Sequence, residues 1–227
     1  MAILPSLLAA DYGCLAEECR RVAAAGAEAL HLDIMDAHFV PNLSFGPDMA
    51  AMAHRTVPLL PLNVHLMMTY PDRYAGRFIE AGASTVQFHV EADCDVVATL
   101  ADIRGRKVRT GLVLKPDTPA EAVFPFLARV DEVLVMTVEP GYGGQAFLPA
   151  MLPKLAAIRR EANRQGHGSL QLMVDGGINT ATAAACAAHG ANAFVAGSSI
   201  FGLADLRAGV MEMRQAAAAA YGIELGA

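Results

Sequence analysis

Basic charge is scarce in this chain of 227 residues: 17 Lys and Arg stand against 23 Asp and Glu, a net charge of −6. That balance argues against nucleic acid or an acidic membrane surface as partner. Cysteine is scarce too. Cys14, Cys19, Cys94 and Cys186 show no C-x-x-C spacing, which points to free thiols in a reducing cytosol rather than to disulfides. The segment Met1-Ala2-Ile3-Leu4-Pro5 has neither a basic region nor a long apolar core, so no signal peptide is expected and the chain reads as cytoplasmic. Formal charge is missing altogether between Asp175 and Asp205. Gly190, Gly197, Gly202, His189, Asn192 and the Ser198-Ser199 pair interrupt that stretch, which excludes a membrane span.

Linkers and low-complexity breaks are also absent, and the 54% hydrophobic content leaves ample material for a core. Short apolar runs near 3–8, 29–35, 62–67, 84–89, 108–114, 132–137, 170–175 and 192–196 read as strands. Between them, Leu15–Ala25, Pro71–Ala81, Pro119–Ala128 and Leu148–Arg164 carry Ala, Leu and charges at helical spacing. Pro71, Pro119 and Pro149 sit where a helix start tolerates a missing N–H. Gly26, Gly82 and Gly190 suit the left-handed turn that ends a helix. Eight strand–helix units predict one α/β domain over residues 1–227, a (β/α)8 barrel. A doubly wound open sheet is disfavoured by the strand count and by the lack of a G-x-G-x-x-G turn after the first strand.

The segment His31-Leu32-Asp33-Ile34-Met35 is the most informative in the chain. Alternate side chains of a strand share a face, so His31, Asp33 and Met35 point one way and Leu32 and Ile34 the other. A buried carboxylate is costly unless it is paired or bound to a metal. Asn63-Val64-His65-Leu66-Met67 repeats the arrangement with His65 and Met67, and Leu172-Met173-Val174-Asp175 ends an apolar run on one carboxylate. Two His and two Asp at three strand ends predict a divalent metal flanked by two proton carriers. Neutral imidazoles with carboxylates suit Zn, Fe(II), Mn or Co better than Mg. Met35, Met67 and Met136 are expected to form an apolar floor.

Three glycine-bearing segments follow the late strands: Gly141-Tyr142-Gly143-Gly144, Gly176-Gly177 and Gly197-Ser198. Backbone N–H groups in such turns bind anions, and glycine permits close approach. None of the segments holds Lys or Arg, so a phosphate there would be held by main chain.

P-S-L-L-A-A-D at 5–11, H-L-D-I-M-D-A-H-F-V-P-N at 31–42, V-H-L-M at 64–67, V-M-T-V-E-P-G-Y-G-G-Q at 135–145, V-D-G-G-I at 174–178 and V-A-G-S-S-I-F at 195–201 closely resemble the ribulose-phosphate 3-epimerase family. The resemblance implies a metal-dependent TIM barrel of the ribulose-phosphate-binding type that interconverts D-ribulose 5-phosphate and D-xylulose 5-phosphate. Carried over by position, it implies His31, Asp33, His65 and Asp175 as metal ligands. It further implies Asp33 and Asp175 as the acid/base pair, Ser6 and His65 as substrate contacts, and Gly141, Tyr142, Gly143, Gly144, Asp175, Gly176, Gly177, Gly197 and Ser198 as the grip on phosphate and substrate. The expected partners are a phosphosugar and further copies of the chain in a homo-oligomer. The alternatives are a 3-epimerase for a six-carbon ketose phosphate such as allulose 6-phosphate, and a catalytically silent phosphosugar-binding barrel.

Ala37 stands where the family usually has glycine, and Tyr142 where it usually has phenylalanine; the second change adds a hydroxyl near the phosphate grip. Asp36 and His38 are expected to order a loop. His89 with Glu91 ends the fourth strand and is expected either to back a metal ligand or simply to pack. Lys115 is out of phase with Leu112 and Leu114 and is expected to reach solvent.

Overall fold

Each apolar run becomes one strand of a parallel sheet: β1 (Ala2–Pro5), β2 (Leu30–Met35), β3 (Leu62–Met67), β4 (Thr85–His89), β5 (Arg109–Leu114), β6 (Glu132–Met136), β7 (Gln171–Asp175) and β8 (Ala193–Ala196). The strand order in this computed structural model is β1-β8-β7-β6-β5-β4-β3-β2, and a parallel bridge between Ser6 and His31 joins the two ends into a barrel. The structure describes residues 1–223; residues 224–227 of the expected domain lie outside the described residues.

Parallel neighbours need a long crossover, and helices supply it. Around the barrel run α1 (Leu15–Ala24), α2 (Pro47–Thr56), α3 (Ala75–Glu80), α4 (Val96–Gly105), α5 (Leu152–Arg164), α6 (Thr180–Ala188), the short α7 (Ser198–Phe201) and α8 (Leu206–Tyr221). The fifth crossover is a 3₁₀ helix over Ala120–Arg129, not the expected α-helix; Pro125 within it has no N–H to donate. The stretch at 71–81 likewise splits, into a 3₁₀ turn over Pro71–Arg73 followed by α3. Gly26, Gly82 and Gly190 adopt φ of +81°, +104° and +97° after their helices, the region that only glycine enters freely.

The two faces of the strands divide the apolar residues. Leu32, Ile34, Val64, Leu66, Val86, Phe88, Leu112, Leu114, Val133 and Val135 pack outward against the helices in one large cluster. Leu4, Val113, Leu134, Met136, Met173 and Val195 fill part of the interior. Another layer of the interior is polar, with Asn63, Gln87 and Glu132 all buried. Gly111 makes room for that layer, since a Cβ there would stand 2.7 Å from Glu132 Cγ and 2.8 Å from Gln87 Cβ. Among the described residues no helix is long and apolar enough to cross a membrane, and all four cysteines are free thiols.

Candidate active site

Register assembles the site. β2 and β3 pair residue for residue, setting His31 beside Asn63, Asp33 beside His65 and Met35 beside Met67, while Met136 of β6 pairs with Asp175 of β7. All these side chains share the inner face, so three successive layers stack toward the C-terminal mouth of the barrel, where such folds place their chemistry. One ligand atom from each of His31, Asp33, His65 and Asp175 lies within 4.8 Å of the others. Met35, Met67 and Met136 line the same cavity of about 660 Å³, together with Ser6, Asp33 and Asp175. The methionines are almost wholly buried.

Both imidazoles turn a nitrogen toward one carboxylate oxygen. His31 Nε2 stands 3.3 Å and His65 Nδ1 3.2 Å from Asp33 Oδ1. The second oxygen, Oδ2, accepts from the Ser6 hydroxyl at 2.5 Å. The far nitrogens are engaged elsewhere: His31 Nδ1 lies 2.9 Å from Asn63 Oδ1, and His65 Nε2 lies 2.9 Å from His89 Nε2. His31 Nε2, fully buried, has no hydrogen-bond partner. A buried ring nitrogen without a hydrogen-bond partner, converging with a second imidazole and a carboxylate oxygen, is satisfied when a cation stands between them, so this donor set fits a divalent metal.

Ser6 reaches Asp33 because the first strand stops short. The expected strand over 3–8 ends at Pro5, and Ser6 caps a 3₁₀ turn over Leu7–Ala9 by accepting from Leu8 N–H. The hydroxyl thus faces the barrel mouth.

The two carboxyls are driven apart in acidity. Burial works to raise Asp33, but the adjoining His31 and His65 hold it well below the usual carboxylate range. Asp175 is pushed up to about 7, first by burial and then by the charge of Asp33. Burial takes His65 down to about 4 and leaves its ring neutral near pH 7, the form that offers a lone pair to a metal. Such separation of two neighbouring carboxyls is how one site holds a base and an acid together.

Around the rim, Gly141–Gly144, Gly176, Gly177, Gly197 and Ser198 line the cavity with Gln145, Phe147, Asn179 and Thr182. The loop after β7 is held by a reciprocal cap, in which Asn179 accepts from Thr182 N–H and the Thr182 hydroxyl accepts from Asn179 N–H. The loop after β2 crosses to the loop after β6: Asn42 Nδ2 donates to the Gly141 carbonyl, and the Tyr142 hydroxyl donates to the Pro41 carbonyl, both at 2.7 Å. The hydroxyl that the sequence places near a phosphate is therefore spent on holding two loops together.

Asp36 accepts from the N–H groups of His38, Phe39 and Thr69, the loop-ordering role expected of it. Lys115 is out of phase with Leu112, as expected, but it is only half-exposed, and its Nζ sits 3.8 Å from the centre of the Phe39 ring. Asn63, Gln87, Glu132, Asn179 and Thr182 were not singled out by the sequence. For Asn63 and Gln87 a signal existed, since they share the inner face with His65 and His89; for Glu132 none did, because a lone polar residue at a strand start is common on solvated ends.

Comparison with known proteins agrees with the geometry. A ribulose-phosphate 3 epimerase family profile matches residues 2–201. The chain is 42% identical over 212 residues to a ribulose-phosphate 3-epimerase of Bacillus subtilis, covering 93% of this chain and 97% of that one. It is 44% identical over 208 residues to the cytoplasmic isoform of rice (Oryza sativa subsp. japonica), covering 89% and 88%. A solved 3-hexulose-6-phosphate synthase from Salmonella typhimurium superposes with a TM-score of 0.71 over 97% of this chain and 100% of that one, at 15% identity, a likeness of fold alone. An epimerase with two converging carboxyls at the mouth of a parallel barrel, this chain belongs to the ribulose-phosphate 3-epimerase family.

Proposed function

We propose that this epimerase interconverts D-ribulose 5-phosphate and D-xylulose 5-phosphate, using Asp33 and Asp175 as the two proton carriers and a divalent cation held by His31, Asp33, His65 and Asp175. The observation that carries the reading is the convergence of two carboxyls, buried Asp33 held ionised and half-buried Asp175 pushed up to about 7, beside two imidazoles within 4.8 Å.

Inverting a carbon next to a ketone requires a proton to leave one face and another to arrive at the opposite face. With a carboxyl on either side, the planar enediolate need not turn over. Asp33, ionised, is set to accept a proton, and Asp175, protonated near neutral pH, is set to give one; the reverse reaction exchanges the roles. Ser6 holds Asp33 by donating to Oδ2, which orients the carboxylate. A carbon acid is far weaker than a carboxylic acid, and each pKa unit of mismatch costs about 1.4 kcal/mol. A bound Zn, Fe(II), Mn or Co ion would act as a Lewis acid and reduce that mismatch by several kcal/mol. Met35, Met67 and Met136 keep water from the reacting carbon, and the rim glycines offer backbone N–H groups to the phosphate.

The test is a coupled assay of ribulose 5-phosphate against allulose 6-phosphate, with metal content measured on the same preparation and on His31→Ala and His65→Ala. Higher kcat/KM on the five-carbon substrate, with metal and activity falling together in both variants, is expected. Preference for the six-carbon substrate would overturn the substrate assignment, and full metal stoichiometry in both variants would overturn the ligand set.

A further inference from the structure

We propose that two hydrogen-bond chains inside the barrel, Glu132–Asn63 and Glu91–His89, are positioning devices that hold His31 and His65 in opposite tautomers, each with its bare nitrogen turned toward Asp33. This rests on reading the four residues around Asp33 as a cation site.

The first chain begins beneath the site. Asn63 Nδ2 donates to Glu132 Oε1 at 2.6 Å, and Asn63 Oδ1 accepts from Gln87 Nε2 at 2.8 Å. With its amide nitrogen committed to a carboxylate, Asn63 can turn only its oxygen to His31, 2.9 Å away. An amide oxygen only accepts, so a neutral His31 carries its proton on Nδ1 and leaves Nε2 for a cation. That nitrogen is one of three buried side-chain atoms without a partner among the described residues, and it lies 3.3 Å from Asp33 Oδ1.

The second chain comes from the side. Glu91 accepts from Lys115 N–H and from the Thr118 hydroxyl through Oε1, and its Oε2 lies 3.2 Å from His89 Nδ1. Facing a carboxylate oxygen, His89 Nδ1 must donate, and its Nε2 is left to accept. His65 Nε2, 2.9 Å from it, must then carry the proton. In the neutral ring that leaves His65 Nδ1 as the nitrogen offered to a cation, 3.2 Å from the Asp33 oxygen that competes for its proton.

Strand register explains why the two rings use different nitrogens. Asn63 lies directly across from His31, whereas the residue across from His65 is Gln87, and His89 stands two positions further along β4. One ring is therefore gripped at Nδ1 and the other at Nε2. A ring free to choose its tautomer could place an N–H against Asp33 and close the site to a cation. Backing groups of this kind commonly change metal affinity by about 10- to 100-fold.

The test uses metal-free protein and two readouts. Nitrogen NMR of the ring shifts, at a pH where both rings are neutral, reports which nitrogen of His31 and His65 carries the proton. Competition with a chromophoric chelator measures Co²⁺ affinity. In the wild type His31 is expected protonated at Nδ1 and His65 at Nε2. His89→Leu should let His65 populate both tautomers and weaken Co²⁺ by about 10- to 100-fold, with His31 unmoved. Asn63→Leu should do the reverse. His89→Gln, whose amide oxygen can accept from His65 Nε2, should restore both readouts, which mere loss of packing would not explain. A thermal melt identifies the variants that fold. The opposite wild-type tautomer in either ring, or unchanged tautomers and Co²⁺ affinity in folded His89→Leu, would overturn the inference. If Asn63→Leu does not fold, the wild-type shift of His31 still decides its half. A wild type that takes up no Co²⁺ would sink the cation reading instead, while the ring shifts would still judge the tautomers.

Discussion

A Cβ at Gly177 would stand 2.5 Å from the backbone nitrogen of Phe147. The same is true one residue earlier, where a Cβ on Gly176 would meet Val138 N at 2.8 Å. These glycines let the loop after β7 lie against the loop after β6, so their first duty is to seat one rim segment on another. Gly143 differs: a Cβ there meets nothing within 4 Å.

That difference separates two effects of substitution. Gly177→Val should raise KM for the phosphosugar sharply and lower Tm as well, because the loop must shift. Gly143→Ala should leave Tm unchanged and raise KM only by crowding the substrate. Losing one charge-assisted hydrogen bond costs about 1.5–3 kcal/mol, so KM should rise by roughly tenfold or more in Gly177→Val, and Ser198→Ala should do much less. Unphosphorylated ribulose should be a very poor substrate, since the remote anion supplies binding energy that orients the reacting carbon. Equal kcat/KM for ribulose and its phosphate would show that the rim glycines serve only as turns.

Asp175→Asn and Asp33→Asn should each lower kcat by about 10²- to 10⁴-fold while the fold survives, because an amide cannot accept the proton. With one carboxyl serving each face, a variant should still exchange solvent deuterium into one epimer without converting it. Turnover near the wild-type rate in either variant would remove that carboxyl from the mechanism.

Glu132 should make stability depend on pH. Burial raises its carboxyl to about 7 against an ordinary value of 4.5. The proton is thus held more tightly in the folded chain than in the unfolded one. Its stabilising effect is complete below about pH 4.5 and is lost as pH climbs through about 7. The loss is on the order of 3 kcal/mol. Glu132→Gln keeps the shape and cannot ionise, so its Tm should fall less between pH 5 and roughly pH 8 than that of the wild type. Parallel Tm-against-pH curves for the two proteins would count against the raised carboxyl.

Ala37 holds φ at +59° in the loop after β2. A side chain in the left-handed region costs roughly 1–2 kcal/mol. Ala37→Gly should therefore raise unfolding free energy by about 1 kcal/mol in a denaturant titration. A lower midpoint in the variant would show that the Cβ contributes more by packing than it costs in strain.

Much of this molecule was legible before folding. Alternation in His31-Leu32-Asp33-Ile34-Met35 separates a chemical face from a packing face, because strand geometry has a period of two. Repetition of apolar runs and helix-like stretches specified the barrel, and the late glycine segments marked its rim. Boundaries were less legible where a local feature ends the pattern, as Pro125 does in the fifth crossover and the Ser6-capped turn does after β1.

What no local pattern contains is which inward side chain meets which. His31 meets Asn63 across 32 positions, and Asn63 meets Glu132 across 69. Those contacts follow from strand register and the closure of the barrel, neither of which alternation encodes. The same closure turns Lys115 over Phe39 and commits the Tyr142 hydroxyl to Pro41. Sequence determined the chemical groups and the face each one occupies; tertiary structure decided which nitrogen of each histidine faces Asp33, Nε2 of His31 and Nδ1 of His65, because only register and closure fix where each ring lies.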